Sequence, residues 1–170
     1  MRELLGIIFL LGGVSGLLYQ WILVQREKQK RMEAFTIFLR KSIFMIEKEK
    51  IKLIDYFQRG CTDTVLQSIL CEIARRLSEN RYPDALEVWE AVFRENKERT
   101  AFDEETFHII LESGRGLFGC SRTENICFLK KSLSEMEEQQ RKIREKDAQA
   151  RKVWVPVGML GAVLLVILLI

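Results

Sequence analysis

The chain has 170 residues, a net charge of +3, 30% charged side chains and 48% apolar ones, averages that would suit a soluble domain. Their distribution does not suit one: Arg2 and Glu3 apart, every charged residue lies between Gln25 and Lys152, and Leu4–Val24 and Val153–Ile170 carry none. This argues against a soluble cytosolic enzyme or a secreted disulfide scaffold, and the apolar share of the middle segment excludes a disordered chain.

As helices at ~1.5 Å per residue, the two uncharged runs extend roughly 31 and 27 Å, close to the thickness of a bilayer's hydrocarbon core. Residues 1–25 are expected to form a retained transmembrane anchor. The charges of Met1-Arg2-Glu3 cancel, the apolar run exceeds the ~7–15 residues of a signal-peptide core, and Tyr19, Gln20 and Trp21 suit a membrane interface. Residues 153–170 are expected to form a second anchor, with Trp154 at its start and Pro156 in its first turn. Arg26, Lys28, Lys30, Arg31 and Arg40 follow the first run; Arg141, Lys142, Arg144, Lys146, Arg151 and Lys152 precede the second. The positive-inside rule then makes 26–152 a cytoplasmic domain with both termini on the far side of the membrane. Within the anchors, Gly12 with Gly16 and Gly158 with Ala162 stand four apart, a spacing that suits helix–helix packing.

The middle segment is sparsely punctuated and its apolar residues recur at helical spacing. Met32, Phe35, Leu39, Ile43, Ile46, Leu53 and Phe57 predict one long amphipathic helix ending near Gly60. Thr62 or Asp63 can cap the next, whose apolar face is Leu66, Ile69, Leu70, Ile73 and Leu77. Asn80–Pro83 reads as a turn, and Pro83-Asp84 opens a short helix with Leu86, Trp89 and Phe93. Asp103 caps a helix over Glu104–Ser113 that Gly114 should close. Ser121-x-x-Glu124 reads as a capping box for a final helix carrying Ile126, Leu129, Leu133, Met136, Gln140 and Ile143, whose polar half from Glu135 to Lys152 should project beyond the core. The expectation is all-α: a cytoplasmic bundle of five or six helices between an N-terminal and a C-terminal transmembrane helix.

Catalytic signatures are weak. Glu105-x-x-His108 has the spacing of helical di-iron ligands, but those sites need a second such motif and two more carboxylates, and His108 is the only histidine. A membrane-tethered metalloenzyme using Glu105 and His108 is the minor alternative. Gly114-x-Gly116-x-x-Gly119 matches a dinucleotide-binding string but follows a helix, where that motif requires a strand. Cys61, Cys71, Cys120 and Cys127 form no C-x-x-C pair and read as structural thiols. The 27 Lys and Arg are interleaved with 24 Asp and Glu, so no one-signed face suggests nucleic acid. No cofactor or metal is expected, and no enzymatic activity.

The sequence from Lys152 to Ile170, with Asp147-Ala148-Gln149 before it, resembles the closing anchor of the stage III sporulation protein AB family of endospore-forming bacteria. Leu4-Leu5-Gly6, Trp89, Thr100-Ala101-Phe102 and Gly114-x-x-Leu117 are consistent with that resemblance, while Phe118 stands where the family pattern has glycine. The resemblance implies a mother-cell protein of the sporulation channel complex. It also implies a cytoplasmic domain similar to that of the inner-membrane platform protein of type II secretion and type IV pilus systems. The chain would then sit in the outer forespore membrane and dock a cytoplasmic hexameric ATPase, stage III sporulation protein AA. Its partners would be the bilayer, that ATPase, other membrane components of the channel and further copies of itself. An adaptor of a pilus or secretion system outside sporulation is the alternative role. Docking would use charged helix faces, with Arg75, Arg76, Glu79 and Arg81 as one candidate group and Arg94, Glu95, Lys97, Glu98 and Arg99 as another.

Overall fold

The protein is described by a computed structural model covering residues 2–48, 53–79, 84–119 and 121–169, with side chains at 20, 22–48, 54–79, 84–119, 121–150, 152, 153, 157 and 161. Among the described residues all regular structure is helical: α1 (Arg2–Lys48), α2 (Leu53–Phe57), α3 (Thr64–Ser78), α4 (Ala85–Glu95), α5 (Lys97–Thr100), α6 (Glu104–Phe118) and α7 (Arg122–Leu169). The chain divides into two units, one of residues 1–27 with 141–170 and one of residues 28–140. Among the described residues no helix is long and apolar enough to cross a membrane. Leu4–Val24 lies within α1 and 153–169 within α7, largely at positions whose side chains fall outside the described set; Gly12, Gly16, Gly158 and Ala162 are among these.

The all-α expectation holds, with differences of detail. The helix expected to continue to Gly60 is described as α1 and α2, with 49–52 outside the described residues. One further turn, α5, has no apolar periodicity to announce it. Pro156 lies well inside α7 instead of in the first turn of a separate helix. Because proline has no N–H, it cannot donate to the carbonyl four residues back.

The core of the 28–140 unit follows from the apolar spacing. Met32, Phe35, Phe38, Leu39 and Ile43 of α1 are buried, as are Leu66, Ile69, Leu70 and Ile73 of α3 and Leu129 and Met136 of α7. The later part of α1 and the early part of α7 run antiparallel. Glu47 meets Lys130 at 3.1 Å, Arg40 meets Glu137 at 2.5 Å, and Gln140 donates to the Thr36 hydroxyl at 2.7 Å. The polar half of α7 was expected to leave the core from Glu135 onward. Instead Met136 and Gln139 are still buried, so the core extends almost to the unit's last residue.

Trp89 of α4 stands at the centre. Fully buried, it donates its indole N–H to the Ile110 carbonyl at 2.9 Å and has the rings of Phe35, Phe57, Phe93 and Phe118 within 4.6 to 6.5 Å. This explains a departure from expectation on α6. Gly114 does not end the helix, which continues to Phe118. A Cβ at Gly114 would lie 2.6 Å from Trp89 Cδ1 and 2.9 Å from Leu86, and one at Gly116 would lie 2.7 Å from Leu129 Cγ. These glycines are places where neighbouring helices touch the α6 backbone. Asp63 and Asp103 cap α3 and α6 as expected, and Asp84, expected inside the helix opened by Pro83, is instead the cap of α4: the three carboxylates accept from the N–H groups of Leu66, Thr106 and Leu86, each at 2.9 Å.

Gly114→Ala should therefore destabilise the protein by about 1–3 kcal/mol through overpacking against Trp89. Gly161→Ala, where an added Cβ meets nothing within 4 Å, should be neutral or slightly stabilising. Urea unfolding of the full chain in detergent, followed by circular dichroism, distinguishes the two.

Candidate functional site

Of the charged residues singled out for docking, those described lie on α3, at its C-cap Glu79, and on α4 and α5, and the fold gathers several into one network. Glu72 accepts from Arg75 at 2.7 Å and from Arg76 at 2.8 Å; Arg76 reaches across to Glu95 of α4 at 2.6 Å, and Arg75 also pairs with Glu79. Arg94 pairs with Glu90 at 3.3 Å. Lys97 meets Glu104 at 2.5 Å and lies 5.3 Å from the centre of the Phe107 ring. Arg99 donates to Asn96 at 2.7 Å and to Ser68 of α3 at 3.4 Å. Glu98 is exposed, and Arg81 lies outside the described residues. The hydrogen bonds from Arg75 and then Arg76 hold Glu72 well below the usual carboxylate range, at about 2. The same exchange raises both guanidinium groups: Arg75 chiefly through Glu72, Arg76 through Glu95 and then Glu72. This is a mutually satisfied surface with little net field.

A second polar cluster escaped the sequence reading because its basic members counted only towards topology. Arg31 is 8% exposed. Its guanidinium donates to the carbonyls of Thr100 at 2.7 Å and Arg99 at 3.2 Å, and lies 3.4 Å from the Asp63 carboxylate. One side chain of α1 thus closes the carbonyl end of α5 and meets the cap of α3. One turn earlier, Lys28 pairs with Asp103, the cap of α6, at 2.7 Å. Burial pushes the Asp103 carboxyl up, but hydrogen bonds from Lys28 and Thr106 outweigh it and hold the group below its ordinary value. Between the two contacts Ala101 adopts the left-handed conformation, φ 55°, reversing the chain between α5 and α6. The only prior signal was the Thr100-Ala101-Phe102 string, of which Thr100 and Phe102 are buried.

Glu105 and His108 are both exposed on α6. Among the described residues no group of three or more His, Cys, Asp and Glu side chains is placed to hold a metal ion. The Gly114–Gly119 string is a helix and its C-cap, so its glycines form no phosphate-binding loop. Cys61 and Cys71 are half-buried around Gln67, whose side chain accepts from the Cys61 N–H at 2.9 Å and donates to the Cys71 sulfur at 3.2 Å. Burial raises the Cys61 thiol. Cys127 is exposed, and Cys120 lies outside the described residues.

Replacing Arg31 with Met should cost about 3–5 kcal/mol, because it strips a buried partner from Asp63 and from two carbonyls. Replacing Arg94 with Ala at an exposed pair should cost under about 1 kcal/mol. Acid should weaken the fold in a defined window. Glu72 is held low in the folded state, so the unfolded chain binds its proton first. The stability it supplies is present above its ordinary value of 4.5 and is lost as pH falls from there towards about 2. Asp103 acts in the same direction. Glu72→Gln and Lys28→Gln should each flatten the fall in urea midpoint measured between pH 6 and pH 3.

No curated protein matches the chain significantly. A solved structure of stage III sporulation protein AB is similar, with a TM-score of 0.66 and 12% identity, over 72% of this chain and 98% of that one. At that identity the likeness shows the fold alone. The profile of the family described as stage III sporulation protein AB matches residues 3–170, which include both uncharged runs and the whole helical unit between them, and the chain belongs to that family.

Proposed function

We propose that this chain is a non-enzymatic membrane platform of the sporulation channel complex. In this reading 1–25 and 153–170 span the mother-cell outer forespore membrane, and 26–152 forms the cytoplasmic domain that docks a hexameric ATPase, stage III sporulation protein AA. The observation that carries the proposal is the family match over residues 3–170, which takes in both uncharged runs together with the bundle. The charge distribution supports the orientation, since nearly all Lys and Arg fall between the runs.

The paired surface of α3–α5 suits a docking role of this kind. Exposed ion pairs are worth only about 0.2–1 kcal/mol each, so a partner can exchange them for intermolecular pairs at small cost. Arg94, Lys97 and Arg99 are the better anchors: Arg94 pairs within α4, and Lys97 and Arg99 each reach another helix through one exposed polar contact, whereas Arg76 holds α3 to α4 through two hydrogen bonds to Glu95. Contacts of this type set specificity and association rate more than raw affinity, and weaken as salt rises.

Deleting the gene should arrest sporulation after engulfment and abolish heat-resistant spores; normal spore yield would contradict the proposal. Immobilised full chain in detergent should retain the ATPase at low salt. The triple reversal Arg94→Glu, Lys97→Glu and Arg99→Glu should lower retention by about tenfold. Undiminished retention by the triple variant would remove this face from the docking surface.

A further inference from the structure

The structure sorts the basic residues near the two uncharged runs into two sets. Lys28 and Arg31 are used internally, by Asp103 and by Asp63 with the end of α5. Arg26 and Lys30 on α1, and Arg144, Lys146 and Lys152 on α7, are exposed and have no ion-pair partner among the described residues. The acids interspersed with them are engaged: Glu145 pairs with Arg141 at 3.1 Å, and Glu27 and Asp147 also have partners. Beside these cations stand exposed apolar residues, Leu23 and Val24 on α1 and Val153 and Val157 on α7, between 40% and 61% accessible.

We infer that Arg26, Arg144, Lys146 and Lys152, all in the unit of residues 1–27 and 141–170, form a binding surface for the phosphodiester headgroups of anionic phospholipid. Uncommitted cations next to exposed apolar side chains suit the boundary between acyl chains and headgroups, where each Lys or Arg contributes attraction to a negative leaflet. A set of merely solvated lysines and arginines would not be bordered by exposed valine and leucine while the neighbouring carboxylates are occupied elsewhere. The inference rests on the reading of 1–25 and 153–170 as membrane anchors.

The test uses the full chain reconstituted in phosphatidylcholine vesicles doped with either dibrominated phosphatidylglycerol or dibrominated phosphatidylcholine. Bromine quenches nearby tryptophan, and Trp21 and Trp154 lie in the two runs near the ends that meet the basic residues in sequence, while Trp89 is fully buried and supplies a constant background. The brominated anionic lipid should quench several-fold more effectively than the neutral one. Replacing all four cations with Gln should abolish that preference, whereas the charge-conserving pair Arg26→Lys and Arg144→Lys should keep it. Lys28→Gln should lower the urea midpoint and leave the lipid preference intact. Equal quenching by the two lipids in the unmodified chain, or a preference that survives replacement of all four cations, overturns the inference and leaves the anchor reading standing. Absence of quenching by either lipid overturns both.

Discussion

The bundle depends on the seating of one side chain, Trp89. Its indole N–H must find an acceptor once buried, and the Ile110 carbonyl supplies it at 2.9 Å. That carbonyl belongs to α6, so the bond fixes how closely α4 and α6 approach, and only an absent Cβ at Gly114 permits the approach. Around the ring stand Phe35 of α1, Phe57 of α2, Phe93 of α4 and Phe118 of α6. Four helices are therefore placed by reference to one residue. The short α2 has little helical stability of its own, and Phe57, fully buried against Trp89 and edge-on to Phe118, gives it a tertiary reason to exist.

The second constraint is electrostatic. Three helices begin at aspartate caps, and α1 approaches two of them with cations: Arg31 near Asp63, and Lys28 on Asp103. Arg31 also takes two carbonyls at the end of α5, a helix of one turn that could not persist in water. Its burial carries a desolvation cost, and only several simultaneous partners offset that cost. The cluster therefore specifies the geometry of the α5–α6 corner, including the left-handed Ala101, more than it adds net stability. Polar specification here complements apolar specification at Trp89.

What the sequence disclosed divides along the same line. The caps at Asp63 and Asp103, the apolar faces of α3 and α4, and the all-α class all follow from local rules and were legible. Phe38 was passed over because Phe35 and Leu39 already satisfied the helical spacing, although all three are buried. Gly114 was read as a stop because a glycine near the end of an apolar run usually is one; its neighbour Trp89 is distant in sequence, and no periodicity reveals the contact. Arg31 was counted with the topology charges for the same reason. The residues that sequence reasoning misplaced are those whose roles are set by partners far along the chain.

The charges of this chain fall into three classes by their surroundings, and the class limits what each can do. Arg31 is buried and committed, so it can only hold the fold. The Glu72–Arg75–Arg76–Glu95 network is exposed and mutually satisfied, so each member can change partners with little loss, which suits a contact that must form and release. Arg26, Lys30, Arg144, Lys146 and Lys152 are exposed and have no ion-pair partner among the described residues, so their positive charge stays available to any anionic surface beside them. Composition alone cannot make this division, since each charge enters the +3 in the same way whatever its surroundings. A near-neutral chain can thus present an uncompensated cationic surface in one place and a balanced, exchangeable one in another, because what acts on a partner is the charge left over after the fold has used its own.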